Sequence, residues 1–256
     1  MRLRLAPVVG GNGGPVWRST LAQIGMELRL LARRGENLFV ILVVPLVLMT
    51  FFSLVPAIDQ GGIRFLLPGI LSLAIISTSL VNLGISTAFE RSYGVLKRLG
   101  GSPLPRSGLI LAKLATVAVV ELGQVVLLVA VAAALLGWSP GPSANGWVVV
   151  GAFVLGTLAF AGLGLLLAGT LRAEATLALA NGLFLALLLL GGVVLPVDRL
   201  PGLLAGLARV LPAAALSDAF RIGLGAAAGD PLGPLLLLGA WALATTVLAA
   251  QTFRWE

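Results

Sequence analysis

Cysteine and histidine are both missing from this 256-residue sequence. Their absence excludes disulfides, thiol or imidazole ligands for a metal, Cys or His nucleophiles and a Ser-His-Asp triad within the chain. Charged residues make up only 11% of the chain, and the acidic residues are scattered singly, unlike the carboxylate clusters that hold Mg²⁺. We therefore expect no catalytic residues, no metal site and no enzyme activity in this chain.

A phosphate-binding loop is also missing. Lysine occurs only at Lys97 and Lys113, which are followed by Arg98 and Leu114, so the pattern G-x-x-x-x-G-K-[ST] does not occur. The chain is not expected to bind or hydrolyse ATP by that route.

Apolar residues dominate what is present. They account for 59% of the chain, and the mean hydropathy of +1.07 lies far above that of soluble domains. Only helices or closed barrels satisfy backbone polar groups inside a bilayer. The composition therefore predicts an all-α polytopic membrane protein, and we treat residues 1–256 as a single transmembrane domain because no intervening segment is long enough for a separate soluble one.

Six segments are long and apolar enough to cross the hydrocarbon core, which requires about 20 residues as a helix. In the fourth segment, Ala152 with Gly156 and Gly164 with Ala168 have the small-residue spacing that permits close helix contact. The predicted spans cover residues 38–55, 65–88, 109–136, 147–171, 175–197 and 235–253.

The basic residues are distributed unequally between the two sides of these spans. With the amino terminus inside, 13 of the 17 Lys and Arg residues lie on the inner side and 4 on the outer side. This bias predicts that both termini are cytoplasmic, with residues 1–15 as a cytoplasmic tail. It also explains the net charge of +7 without nucleic acid as a partner. The inner residues are Arg2, Arg4, Arg18, Arg29, Arg33, Arg34, Arg91, Lys97, Arg98, Arg106, Lys113, Arg172 and Arg254; the outer ones are Arg64, Arg199, Arg209 and Arg221.

Two segments outside the spans are expected to lie at the membrane surface. Residues 17–34 place leucines and an isoleucine at helical spacing beside arginines, which is typical of an amphipathic interface helix; a plain basic flank is the alternative. Residues 198–234 are apolar but interrupted by Pro and Gly. They fit two short outer helices, 203–211 and 213–224, joined at Pro212, either re-entrant or interfacial; a simple outer loop helix is the alternative.

Few polar residues fall inside the predicted spans. Glu121 lies near the middle of the third span, where an ionised side chain is costly, so it should face protein or water, with Gln124 on nearly the same face. Both could line a substrate path or hydrogen-bond structurally, and the same alternatives hold for Asn82 and Asn181. Lys113 lies too far from Glu121 to pair with it and is expected to extend to the inner headgroups.

The densest charge cluster, residues 90–106, lies between the second and third spans. Residues 90–99 are predicted to form a short helix along the membrane, which would transmit a push from a soluble partner into the bilayer; a solvated positive-inside loop is the alternative. The cluster resembles the corresponding loop of ABC-2 type exporter permeases. The matching residues are Glu90, Arg91, Gly94, Leu96, Lys97, Arg98, Leu99, Pro103, Leu104 and Pro105, followed by Leu111 and Lys113, and in the outer segment Leu200, Pro201, Pro212, Asp218 and Arg221.

This resemblance implies the membrane subunit of a bacterial ATP-driven exporter in the cytoplasmic membrane. It implies a homodimer with two copies of a separate ATPase subunit, on which ATP and Mg would bind, with residues 90–99 as the coupling helix. The apolar spans favour a hydrophobic or amphiphilic substrate. An ion-coupled secondary transporter with Glu121 as its ion or proton site, and a membrane scaffold without transport, are the alternatives.

Overall fold

The computed structural model describes residues 16–33, 35–54, 62–96, 106–193 and 196–252, with side chains from residue 20 onward except 31, 32, 35–38, 106 and 107. Regular structure in these ranges is entirely helical, which confirms the predicted all-α class. The helices are α1 (Val16–Arg33), α2 (Gly35–Leu54), α3 (Gly62–Ile75), a π-helical segment (Ile76–Asn82), α4 (Leu83–Ser92), α5 (Arg106–Leu135), α6 (Gly146–Thr170), α7 (Ala173–Leu190), a 3₁₀ turn (Val197–Arg199), α8 (Gly202–Val210), α9 (Pro212–Gly223) and α10 (Leu232–Thr252).

Five helical segments of the described chain are long and apolar enough to cross a membrane, which confirms the second to sixth predicted spans within a few residues. The second span is longer than predicted, because α3, the π-helical segment and α4 run on as one helix, Gly62–Ser92. The fifth span ends earlier, at Leu190 instead of residue 197. The first predicted span corresponds to α2, whose described apolar stretch, Phe39–Leu54, is shorter than the other five.

Helix α6 is the central element of the bundle. Asn145 begins it, because its side-chain oxygen accepts a hydrogen bond from the backbone N–H of Trp147 at 3.0 Å. Glycines let neighbouring backbones approach: Gly164 lies against the main chain of the π-helical segment, and Gly84 on α4 lies against Gly164. The predicted small-residue positions thus lie at close contacts, with Gly156 packed against Leu216 of α9 and both Ala152 and Ala168 buried.

The predicted pair of short helices, 203–211 and 213–224, is confirmed as α8 and α9, which meet at 77°. Pro212 is the first residue of α9, where its missing N–H costs no helical hydrogen bond. The bend leaves α8 mostly exposed, while α9 is buried against α3, α6 and α10.

The two ends of the bundle carry different groups of charged residues. The Lys113 end is defined by the end of α4, the start of α5 and the end of α6. The Arg221 end is defined by the starts of α3 and α10 together with α8 and α9.

We expect Gly164→Ala to destabilise the protein. A Cβ at this position would stand 2.8 Å from the carbonyl oxygen of Ser79 and 2.9 Å from that of Leu80, so α6 and the π-helical segment must separate. Overpacking of this kind costs about 1–3 kcal/mol. The thermal unfolding midpoint, measured in one detergent, should fall.

Gly123→Ala on α5 is the matched control, because within the described part of the chain no atom outside the local backbone of α5 lies within 4 Å of the position that its new methyl group would take. Its midpoint should stay the same or rise, since alanine favours helix over glycine by about 1 kcal/mol. Equal unfolding midpoints for Gly164→Ala and the parent protein would contradict the close contact between α6 and the π-helical segment.

Candidate functional site

Glu121 is fully buried at the centre of the bundle, between the π-helical segment and α6. One carboxylate oxygen accepts a hydrogen bond from the hydroxyl of Ser79, and the other accepts one from Thr157 at 2.5 Å. Both oxygens of the carboxylate are therefore bonded by neighbouring helices of the same chain. The side chain faces protein, as its position in the sequence predicts, and it joins α5 to two other elements.

Gln124 continues this polar layer one turn along α5. Its side-chain oxygen accepts from Thr78 at 2.9 Å, and its amide donates to the backbone carbonyl of Ile41 on α2 at 2.8 Å. Both the oxygen and the nitrogen of the Gln124 amide therefore have a hydrogen-bond partner inside the apolar bundle. Glu121 and Gln124 together connect α5 with α2, the π-helical segment and α6, and we call this group the polar layer.

The π-helical segment explains how Thr78 and Ser79, adjacent in sequence, both face α5. A π turn holds more residues than an α turn, which widens the helix locally and changes the direction in which successive side chains point. Thr78 donates a hydrogen bond to Gln124, and Ser79 donates one to Glu121. These two bonds fix the position of the π-helical segment along α5. Such segments are frequent at functional positions.

A second cluster, built around the buried Lys113, lies at the Lys113 end. The ammonium of Lys113 lies 2.6 Å from Oε2 of Glu90, at the end of α4, and 3.6 Å from Oε1 of Glu27 on α1. Gln23 donates to Glu27 at 3.1 Å from the preceding turn of α1. The expectation that Lys113 extends to lipid headgroups is wrong: its side chain is 6% exposed, because two carboxylates from neighbouring helices pair with it inside the fold.

Arg91 points the other way from Glu90 and binds the end of α6. Its guanidinium donates to the carbonyl of Gly169 at 2.6 Å and to the carbonyl of Leu171. The last carbonyls of a helix lack intrahelical partners and carry partial negative charge, so a cation stabilises them. The last turn of α4 is therefore fixed on one side to α1 and α5 and on the other side to α6.

The predicted short helix over residues 90–99 differs from what the structure shows in its first part. Glu90 and Arg91 belong to α4, which ends at Ser92, and the chain turns at Tyr93 and Gly94. Gly94 has φ +68°, a conformation that glycine adopts without strain and that ends the helix. Leu96 beyond the turn is buried, whereas the predicted site residues Lys97, Arg98, Pro103 and Pro105 lie outside the described residues.

Asn82 and Asn181 occupy different positions. Asn82 lines a groove of about 460 Å³ between α2 and the π-α4 helix, together with Ser77 and Ser86 and reaching Glu90 at the Lys113 end. Asn181 lies on the exposed face of α7, where its amide donates to the carbonyl of Leu177 one turn earlier at 2.8 Å. Of these two asparagines, Asn82 is therefore the candidate for contact with a bound molecule.

The predicted outer residues are brought together at the Arg221 end. Arg221 donates to Asp218 at 3.1 Å and to the carbonyl of Gly192 after α7, and its guanidinium stacks 4.1 Å from the ring centre of Phe65 on α3. Pro212 begins the helix that holds both charged residues. Arg221 thus joins α9 to α3 and to the end of α7.

Sequence reasoning missed Glu27, Thr78, Ser79 and Thr157. Glu27 is the one acidic residue of α1, whose other charged residues are all arginines, and this exception was a usable signal. The three hydroxyl residues carry no such signal, because Ser and Thr inside spans most often bond the preceding turn of their own helix.

We expect Glu121→Gln to preserve the fold and Glu121→Leu to destabilise it. Glutamine keeps an acceptor for one hydroxyl and presents an amide donor to the other, whereas leucine leaves both hydroxyls without their acceptor. An unsatisfied buried polar group costs about 1–3 kcal/mol. The unfolding midpoint of purified protein distinguishes the two variants.

Asn181→Leu is the control for replacing a polar side chain by leucine, because Asn181 is exposed and bonded only to its own helix among the described contacts. Its midpoint should match that of the parent. A stable Glu121→Leu protein would show that the polar layer does not hold the helices together.

Comparison with known proteins agrees with this architecture. A search of curated proteins finds no matching relative. The family model described as ABC-2 type transporter matches residues 19–224, which include most of α1, the polar layer, the Lys113 cluster and the bent pair α8–α9. The match covers well over half of the 256 residues. The chain therefore belongs to the ABC-2 type transporter family and is a multi-pass membrane permease subunit of ABC-type transporters.

Proposed function

We propose that this permease moves a hydrophobic or amphiphilic substrate out of the cell, driven by ATP hydrolysis on a separate ATPase subunit. Two copies of the permease and two of the ATPase would form the transporter, with ATP and Mg bound by the ATPase. The family supports an ABC ATPase partner. The observation that carries the coupling part of the proposal is the double attachment of the last turn of α4, immediately before residues 93–106.

Under this proposal the Lys113 end faces the cytoplasm, in agreement with the excess of basic residues on that side. Residues 90–106 would contact the ATPase, and α1 would contact the same partner from the side. Because Lys113 pairs with both Glu90 and Glu27, a displacement of the α4 end is shared with α1 and α5. Arg91 passes the same displacement to α6 through its end carbonyls. A push on one loop would therefore move four helices together.

The groove that contains Asn82 is our candidate for part of the substrate path. Its wall combines hydroxyl and amide side chains with apolar ones such as Val81 and Ile85, and it runs along the π-α4 helix towards Glu90. A mostly apolar groove with a few polar groups suits an amphiphilic molecule. The groove ends beside the proposed coupling segment, so motion of α4 changes its shape directly.

Glu121 is assigned a structural role in this proposal. Its two oxygens are occupied by Ser79 and Thr157, and the residue is fully buried. An ion or proton site in a secondary transporter requires access from a water-filled path. The bonds around Glu121 instead support the interpretation that it holds the helices in register while the Lys113 end moves.

Co-purification tests the partnership. The tagged chain, isolated in mild detergent from its native host, should retain an ATPase subunit bearing a phosphate-binding loop in equal amount, identified by mass spectrometry. A folded chain that repeatedly purifies without such a subunit would contradict the proposal and favour a secondary transporter.

We expect the double variant Glu90→Gln/Arg91→Gln to insert and fold but to lose coupling. The basal ATPase activity of the reconstituted complex should persist. Its stimulation by the permease should fall about fivefold or more, because a factor of about five is the lower end of the coupling that is typical between two sites of a protein. ATPase assays in lipid vesicles measure both quantities on the same preparation.

The matched control is Arg172→Gln/Glu174→Gln, which removes one positive and one negative charge from exposed positions at the start of α7. Its stimulation should equal that of the parent. Normal stimulation in the Glu90→Gln/Arg91→Gln variant would refute the coupling role of the α4 end.

A further inference from the structure

A second cavity lies at the Arg221 end, away from the proposed coupling segment and from the groove. Its volume is about 450 Å³, and it is bordered by the starts of α3 and α10, the 3₁₀ turn, the end of α8 and one face of α9. Binding sites for small molecules commonly occupy about 300–1,000 Å³. The cavity is therefore large enough to hold the headgroup and part of the chain of an amphiphile.

The charges around this cavity are balanced. Its lining contains two arginines and two aspartates, and the two signs are paired: Arg209 with Asp198 at 3.2 Å, and Arg221 with Asp218 at 3.1 Å. A wall of zero net charge has little attraction for a purely anionic or purely cationic ligand. Groups of both signs at short range favour a ligand that itself carries both signs.

The two ion pairs differ in how firmly they are held. Arg221 is 8% exposed and is fixed by Gly192 and Phe65, so it orients Asp218, whose side chain is 50% exposed. Arg209 and Asp198 are 68% and 85% exposed. An exposed pair contributes only about 0–1 kcal/mol, so a ligand separates Arg209 from Asp198 at little cost.

The groups that become available define the ligand. The carboxylates of Asp198 and Asp218 accept hydrogen bonds from an ammonium group, and the guanidinium of Arg209 donates a bidentate pair to an oxyanion such as phosphate. The remaining lining includes Phe65, Pro234 and Leu237, which suit an apolar chain. The α3 and α10 helices that supply these apolar residues begin here, so the cavity lies where membrane spans end.

We propose that this cavity binds a zwitterionic amphiphile whose headgroup combines a primary ammonium with a phosphate, as in phosphatidylethanolamine. The ammonium lies between Asp198 and Asp218, the phosphate on Arg209 and the chain along Phe65 and Leu237. The proposal does not depend on the direction of transport or on the partner ATPase.

The test is native mass spectrometry of the full chain in detergent with equimolar phosphatidylethanolamine, phosphatidylcholine and phosphatidylglycerol of identical acyl chains. Phosphatidylethanolamine should be retained about tenfold or more over phosphatidylcholine, because its primary ammonium donates charge-assisted hydrogen bonds and the trimethylated ammonium of phosphatidylcholine has no N–H to donate. Equal retention of the three lipids, or preference for phosphatidylglycerol, would overturn the proposal.

Variants locate the binding. Asp198→Asn should abolish the preference for phosphatidylethanolamine, whereas Arg209→Gln, which removes the contact to the phosphate that all three lipids share, should lower the retention of all three. Both side chains are exposed, so folding should persist. Arg199→Gln is the matched control, since Arg199 is an exposed neighbour of Asp198 that does not border the cavity. Its preference should equal that of the parent. Loss of preference in Arg199→Gln to the same extent would point to surface charge and overturn the assignment.

Soluble phosphoethanolamine distinguishes the two possible sources of the headgroup. If the apolar lining contributes to binding as proposed, phosphoethanolamine should displace the lipid only at concentrations far above that of the lipid. Displacement at equal concentration would show that a free zwitterion suffices and would overturn the assignment to an amphiphile.

Discussion

The bonds of Glu121 and Gln124 are the interactions on which the arrangement of helices depends. In an apolar environment, association gains little from the hydrophobic effect, so polar contacts and close packing select which helices meet. Glu121 meets two hydroxyls and Gln124 meets a hydroxyl and a backbone carbonyl, and these four partners come from three elements, the π-helical segment, α6 and α2. Because a polar group left unbonded there is costly, the helices of the polar layer are held in a single register.

Close backbone contact complements this layer. Gly164 of α6 lies against the π-helical segment whose hydroxyls bond α5, and Gly84 continues the contact along α4. The glycines and the hydroxyls therefore act on the same π-helical segment. The glycines let α6 approach it, and the hydroxyls determine which of its residues face α5. A displacement along α4 acts against both contacts, which favours movement of these helices as a group.

The two ends of the bundle use charge differently. At the Lys113 end one ammonium holds two carboxylates from different helices, and Arg91 binds helix-end carbonyls, so the charges connect elements within the fold. At the Arg221 end one ion pair is anchored and the other is exposed beside a cavity. Buried networks resist rearrangement, whereas exposed pairs exchange partners readily. The first arrangement suits transmission of movement and the second suits binding.

Composition and hydropathy were enough to predict an all-α membrane protein, five of its spans and the short helices on either side of Pro212, because the cost of unbonded backbone in a bilayer leaves few alternatives. Burial of Glu121 also followed from its depth in a span. The partners of Lys113 did not follow, since they lie on α1 and α4 and reach it only through packing of distant segments. The π-helical segment likewise did not follow from the sequence, because tertiary contacts outweigh the small differences in local propensity among apolar residues.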